Sequence, residues 1–129
     1  MFKVKEIMKT DLVTIKENGS VYQAIRSLVE NNITGLLVVD NDNKLVGVIS
    51  EKDMLKLLYN LEDSSGTVSD YMTADPVSFS PEDSLIDVAE CFINNNFRRV
   101  PIVSDDKLVG VVSRKDIVAY ILKLRGKDK

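Results

Sequence analysis

The chain has 129 residues, 44% hydrophobic and 29% charged, with a formal net charge of −3, a composition ordinary for one soluble globular domain. That balance argues against a duplex-DNA footprint, and 6% aromatics without Trp leave little to stack on single-stranded nucleic acid. There is no His and Cys91 is the sole cysteine, which excludes Ser-His-Asp and Cys-His catalysis, imidazole metal ligands, an internal disulfide and a CxxC site.

In chain order, the opening MFKVKEIMKT is charged every few residues and has no apolar core of a signal peptide. No apolar stretch approaches the roughly 20 residues of a membrane helix. The expectation is a cytoplasmic protein without membrane insertion. VKEIMKTDLVTI predicts a turn of helix, a loop and a brief extended segment. Ser20-x-x-Gln23 has capping-box spacing, and the helix it opens places Val21, Ala24, Ile25, Leu28 and Val29 on one face. LLVVD and KLVGVI read as paired strands around an Asn/Asp turn. The turn, DNDNK, has part of a calcium loop but lacks its Gly and distant Glu, so a hairpin and no metal site is expected. Ser50 then opens a helix with Met54, Leu55, Leu57, Leu58 and Leu61 as its apolar residues.

The same order returns after YNLEDSSGTVSD, whose Ser-Ser-Gly marks the internal linker. VSDYMTADPVSF repeats the opening, with Pro76 disfavouring helix at Asp75. Ser84-x-x-Asp87 marks a second helix start, with Leu85, Ala89, Phe92 and Ile93 on its apolar face and Cys91 as a packed or surface thiol. VPIVS and KLVGVV form the second strand pair. Ser113 opens the last helix, with Ile117, Val118, Ile121, Leu122 and Leu124.

Met8 and Met72, Val13 and Val77, and Ser20 and Ser84 stand 64 positions apart; past the hairpin, Gly47 and Gly110, Ser50 and Ser113, and Asp53 and Asp116 stand 63 apart. A residue lost at a turn, with strands kept on both sides, is what a hairpin tip tolerates. Each half is β-α-β-β-α and too small to bury much surface alone. The predicted class is α/β (α+β): two such repeats, 1–61 and 68–124, packed about a pseudo-twofold axis, with a linker at 62–67 and a frayed tail at 125–129.

Within the repeat, KLVGVISEKD (44–53) and KLVGVVSRKD (107–116) are nearly identical. Ser-x-x-Asp after a strand is a capping box, and equally a hydroxyl and carboxylate able to grip a ligand. A carboxylate accepts from both hydroxyls of a cis-diol, and a helix start favours an anion. The two roles are compatible, and the residues alone leave both open. Gly47 and Gly110 inside strands mark close approach by another group.

The tandem order with GVISEKD (47–53) and GVVSRKD (110–116) resembles a pair of cystathionine-β-synthase (CBS) domains, a Bateman module. FRRVPIVSDDKLVGVVSRKD (97–116) is especially similar; the first copy departs in having Leu37 where the second has Pro101. The resemblance implies regulatory binding of AMP, ADP, ATP, S-adenosylmethionine or a related nucleoside in two clefts between the repeats, with no catalytic cofactor. By that resemblance Asp53 and Asp116 hold the ribose, with Ser50 and Ser113 at the ribose or phosphate. The Asp53 cleft would draw Arg98, Arg99, Arg114 and Lys115 from the opposing half; the Asp116 cleft would draw Thr34, Gly35, Glu51 and Lys52. Arg forks match phosphate oxygens and Glu51 repels them, so phosphate-bearing nucleotides are expected at Asp53. Leu12, Val13 and Val48 on the Asp53 side, and Pro76, Val77 and Val111 on the Asp116 side, would line the adenine. The implied role is a sensor, not an enzyme, forming a homodimer through its helices and acting on an unidentified protein target. A ligand-free structural dimerisation module is the alternative.

Overall fold

The structure, a computed structural model, describes residues 2–59, 61 and 66–126. Most of the expected linker (residues 62–65) and the end of the expected tail (residues 127–129) lie outside the described residues. Of their described parts, Gly66 and Thr67 are tied to the first helix start, and Arg125 is still helical.

After a 3-10 turn at Val4–Glu6, the first repeat runs β1 (Thr14–Lys16), α1 (Val21–Glu30), β2 (Gly35–Val39), β3 (Leu45–Ser50) and α2 (Glu51–Leu55). The second runs α3 (Val68–Tyr71), β4 (Thr73–Ala74), α4 (Leu85–Asn94), β5 (Arg99–Ser104), β6 (Lys107–Ser113) and α5 (Arg114–Arg125). The class is mixed α/β, as the alternating pattern predicts.

Local chemistry fixes most of these boundaries. Ser20 caps α1 in a full box: its Oγ accepts from Gln23 N–H at 3.1 Å, and Gln23 Oε1 accepts from Ser20 N–H at 3.1 Å. The second helix start departs from its expected box, because Ser84 Oγ accepts instead from Ile86 N–H at 3.1 Å. In DNDNK, Asp40 Oδ1 accepts from the N–H of Asp42 and of Lys44, at 2.8 and 3.0 Å, and Asn43 turns through φ 63°. The hairpin therefore consumes this carboxylate. Asp105 and Asp106, at φ 52° and 65°, make the shorter second turn. Ser50 opens only a five-residue helix, which tightens into a 3-10 turn at Lys56–Tyr59, whereas α5 runs 12 residues. After Tyr59 the chain must return to Gly66, whose carbonyl accepts from Val21 N–H at 3.2 Å.

Two compact units result, and they do not coincide with the sequence repeats. One is contiguous, Val13–Pro76; the other joins Met1–Leu12 to Val77–Lys129. In the contiguous unit the sheet order is β1-β2-β3-β4, with β1 parallel to β2 and the rest antiparallel. Its edge strand β4 comes from the opening of the second repeat. In the two-piece unit, β5 and β6 are antiparallel; Phe79 bridges Ile102 in parallel and Lys9 bridges Val111 antiparallel. Here the opening of the first repeat takes the place that β4 holds in the other unit.

The cores repeat the exchange. Ala24, Leu28, Leu36, Val38 and Ile49 pack with fully buried Val68, and Val88, Phe92, Val100, Ile102 and Val112 pack with fully buried Val4. Each unit thus borrows one core valine from the opening segment of the other repeat. Phe2 is edge-on to Tyr120 at 6.0 Å, Tyr120 donates to Glu6 at 3.2 Å, and Glu82 accepts from Lys3 and Lys5, so the N-terminal segment is fastened along its length.

Candidate functional site

The two Ser-x-x-Asp turns are built alike. On β3, Gly47 and Ile49 face the core, which leaves Val48 and Ser50 on the half-buried face, while Val46, at the register shift, packs against the core. On β6, Leu108, Gly110 and Val112 face inward, Val111 and Ser113 share the other face, and Val109, at the register shift, packs against the core. Each turn therefore sets a valine and a serine hydroxyl on one accessible face, with the Asp in the helical turn that follows.

Both turns are capping boxes. Ser50 N–H and Oγ–H donate to Asp53 Oδ2 at 2.8 and 3.0 Å, and Asp53 N–H donates to Ser50 Oγ at 3.3 Å. Ser113 N–H donates to Asp116 Oδ2 at 2.9 Å, and Asp116 N–H to Ser113 Oγ at 3.0 Å. The first helical amide is also used: Glu51 N–H donates to Thr34 O and Arg114 N–H to Arg98 O, each at 3.0 Å. Of each turn's opening amides only those of Lys52 and Lys115 have no partner among the described residues, so the helix starts offer an anion less than their spacing suggests. Asp53 and Asp116 are both half-buried, and among the described residues Oδ1 of each takes no hydrogen bond. The cap occupies one carboxylate oxygen and leaves the other free to accept. The turns differ at the serine, since the Ser50 hydroxyl proton is given to Asp53 whereas among the described residues Ser113 Oγ–H donates to nothing.

The glycines mark the close approach expected of them, and its source is the chain itself. A Cβ on Gly47 would stand 2.5 Å from Met72 Sδ and 2.9 Å from Thr73 O; on Gly110 it would stand 2.8 Å from Met8 Sδ and 3.1 Å from Lys9 O. The group approaching each glycine is the chain's own methionine, carried in by the exchanged opening segment. The glycines thus report strand packing, and their recurrence is no argument for a ligand.

The exchange leaves most of the other expected residues in the half where their repeat places them and moves two, Leu12 and Pro76. Arg98, Arg99, Arg114 and Lys115 belong to the unit of Asp116, with Arg99 paired to Ser113 across the strands. Thr34, Gly35, Glu51 and Lys52 belong to the unit of Asp53, with Gly35 paired to Ser50. Arg98, Arg114, Lys115, Glu51 and Lys52 are exposed. Leu12, assigned by repeat to the Asp53 side, belongs to the unit of Asp116 and Val111, and Pro76 belongs to the unit of Asp53 and Val48. Val13 and Val77 follow their repeats and are exposed, while Leu12, Val48, Pro76 and Val111 are half-buried. Two further residues join these faces: Thr73 sits opposite Val48, and Lys9 opposite Val111. They stand 64 positions apart, like Met8 and Met72 before them, but Lys and Thr are unlike, and only strand pairing brings them there. A broad concavity of about 840 Å³ over β1 and α1 is lined by Thr14, Lys16, Ser20 and Arg26 but by neither turn. No group of three or more acidic or thiol side chains among the described residues is arranged to hold a metal. No helix among them is long and apolar enough to cross a membrane.

The model of the CBS domain family matches twice, at residues 4–60 and 68–123. An uncharacterized protein of Methanocaldococcus jannaschii, MJ1225, is 35% identical over 97% of this chain, which spans 43% of that relative's length. CBSX2 from Arabidopsis thaliana, solved in complex with AMP, is 34% identical with a TM-score of 0.87, covering 97% of this chain and 99% of that one. The CBS domain pair of protein MJ0100, solved with 5-methylthioadenosine and S-adenosyl-L-methionine, is 30% identical with a TM-score of 0.80 and covers 100% and 99%.

Proposed function

From the premise that this chain belongs to the CBS domain family, as a tandem pair, we propose that it is a regulatory module binding an adenosine-containing ligand. The single observation that carries the reading is the pair of half-buried aspartates, each with one carboxylate oxygen committed to the cap and the other without a partner among the described residues. Oδ1 of Asp53 and of Asp116 accepts from a ribose hydroxyl, and Ser113 Oγ–H, unlike that of Ser50, is available to donate. Val48 and Val111, on the same faces, supply apolar contact for a base, with Leu12, Val13, Pro76 and Val77 as the remaining candidates. Arg98, Arg99, Arg114 and Lys115 favour a phosphate-bearing ligand over a neutral nucleoside. CBSX2 with AMP and MJ0100 with S-adenosyl-L-methionine supply the ligand class, and AMP is the first candidate. The module carries no catalysis of its own; the ligand's effect passes to a partner chain.

A second copy is the first partner. Exposed apolar residues fall at matched positions in both repeats: Leu55 and Val118, Leu58 and Ile121, Tyr59 and Leu122, Leu61 and Leu124 toward the end of each repeat, and Tyr22 and Ile86, Val29 and Ile93 on α1 and α4. Tyr59 is 92% exposed and Ile93 79%, which water alone does not reward. A surface duplicated within the chain fits a partner with the same duplication. This observation also favours the alternative, a dimerisation module without ligand.

Thermal shift with AMP, ADP, ATP and S-adenosylmethionine separates the readings. A ligand at 100 times its Kd stabilises by about 2.7 kcal/mol, a readily seen rise in Tm. No rise with any of the four leaves the dimerisation module. Mass spectrometry of small molecules released from the denatured protein identifies any ligand that co-purifies.

A further inference from the structure

Met8 and Met72 occupy equivalent places in the exchanged opening segments. Each directly precedes the residue that pairs with a central strand, Lys9 with Val111 and Thr73 with Val48. Each sulfur lies over the glycine of that strand, at the spot where a Cβ would be 2.8 Å (Gly110) or 2.5 Å (Gly47) away. Both methionines pack against a core yet remain half-buried, so solvent reaches them.

We propose that these two thioethers are oxidation-sensitive latches holding the opening segments on β6 and β3. The oxidant is a hydroperoxide, with hydrogen peroxide the simplest case. A sulfur lone pair attacks one peroxide oxygen, the O–O bond breaks and an S–O bond forms. The S–OH cation so formed gives its proton to the departing hydroxide, leaving sulfoxide and water, so sulfur loses two electrons and the peroxide gains them. The sulfoxide is bulkier and carries a strong acceptor, which is costly where the thioether was chosen to fit over bare backbone. Its departure loosens the Lys9–Val111 pair, now closed by hydrogen bonds of 2.9 and 3.0 Å, and the β3–β4 pairing at Gly47 and Val48. Val111 and Val48 stand two residues before Ser113 and Ser50, so the loosening reaches both Ser-x-x-Asp turns. The proposal does not depend on what those turns bind.

The test is hydrogen peroxide treatment of the whole chain, with peptide mass spectrometry to locate sulfoxides and amide exchange to follow the strands. Sulfoxide at Met8 and Met72 is expected to speed exchange at Lys9, Val111, Val48 and Thr73 by on the order of tenfold, with recovery on treatment with methionine sulfoxide reductases. A Met8→Leu/Met72→Leu variant is expected to stay protected at the same dose, although half-buried Met54 oxidises in it too. Should that variant misfold, wild-type fractions separated by degree of oxidation provide the same comparison. Sulfoxides at both sites with unchanged exchange would overturn the proposal. So would both sites resisting a dose that fully oxidises Met54, or equal loosening in the double variant.

Discussion

Gly47 and Gly110 do the same job with different margins. At Gly47 an added Cβ meets a backbone oxygen at 2.9 Å, which cannot move aside as a methionine can; at Gly110 the backbone oxygen is at 3.1 Å. Overpacking of this kind costs about 1–3 kcal/mol, so Gly47→Ala is expected to lower stability in denaturant melts more than Gly110→Ala. Shortening Met8 to Ala should relieve Gly110→Ala more fully than Met72→Ala relieves Gly47→Ala. Equal losses with equal relief would show that the carbonyls do not set the order. The aspartates illustrate what spacing resolves at this scale: Ser-x-x-Asp is legible as a box, and both boxes form. Whether a free oxygen remains depends on a geometry that no spacing encodes. The glycines are legible in the same partial way, since a close approach can be read from sequence but the approaching group cannot.

At the scale of elements, the opening segments carry the main departure from the pattern. Offsets of 64 and 63 report which residues are alike, not which pack together, so the exchange of Val4 and Val68 between repeats was not visible. The strands, helices and hairpins were visible because each has a local cause: β-branched runs, Ser caps and Asn/Asp turns. Shortening either buried valine removes about 2 kcal/mol of packing. Val4→Ala is expected to speed amide exchange in α4, β5 and β6, and Val68→Ala in α1, β2 and β3. The opposite assignment, with each valine supporting its own repeat, would refute the exchange. The N-terminal segment also contributes a pH dependence. A hydrogen bond from Lys3, then one from Lys5 and the charges of both lysines, hold the Glu82 carboxyl below its ordinary range. A carboxyl depressed on folding adds stability above its unfolded pKa and loses it as pH falls through the folded one. Glu82 is exposed, so the effect is small and screened by salt. Comparing Glu82→Gln with wild type, the difference in Tm should therefore be present at pH 7 in low salt and vanish at the acid end; a difference that persists there would remove the ion pairs as its cause.

For the whole molecule, the tandem CBS pair explains why composition alone says so little. A −3 charge, no His and one Cys describe what the chain is not, while the repeat describes what it is. The matched exposed positions predict self-association: wild type is expected to sediment as a dimer and Leu58→Glu/Ile121→Glu as a folded monomer, and a monomeric wild type or an unchanged profile in the variant would contradict this. The ligand claim is tested most directly by calorimetric titration of AMP into wild type, Asp53→Asn, Asp116→Asn and the double variant. Asn keeps an oxygen for the Ser N–H, and so the cap, but replaces the second acceptor with a donor. The account predicts binding by wild type, at least a tenfold loss in one single variant, about 1.4 kcal/mol, and none detectable in the double variant. Wild-type affinity in the double variant, with the fold intact, would contradict it.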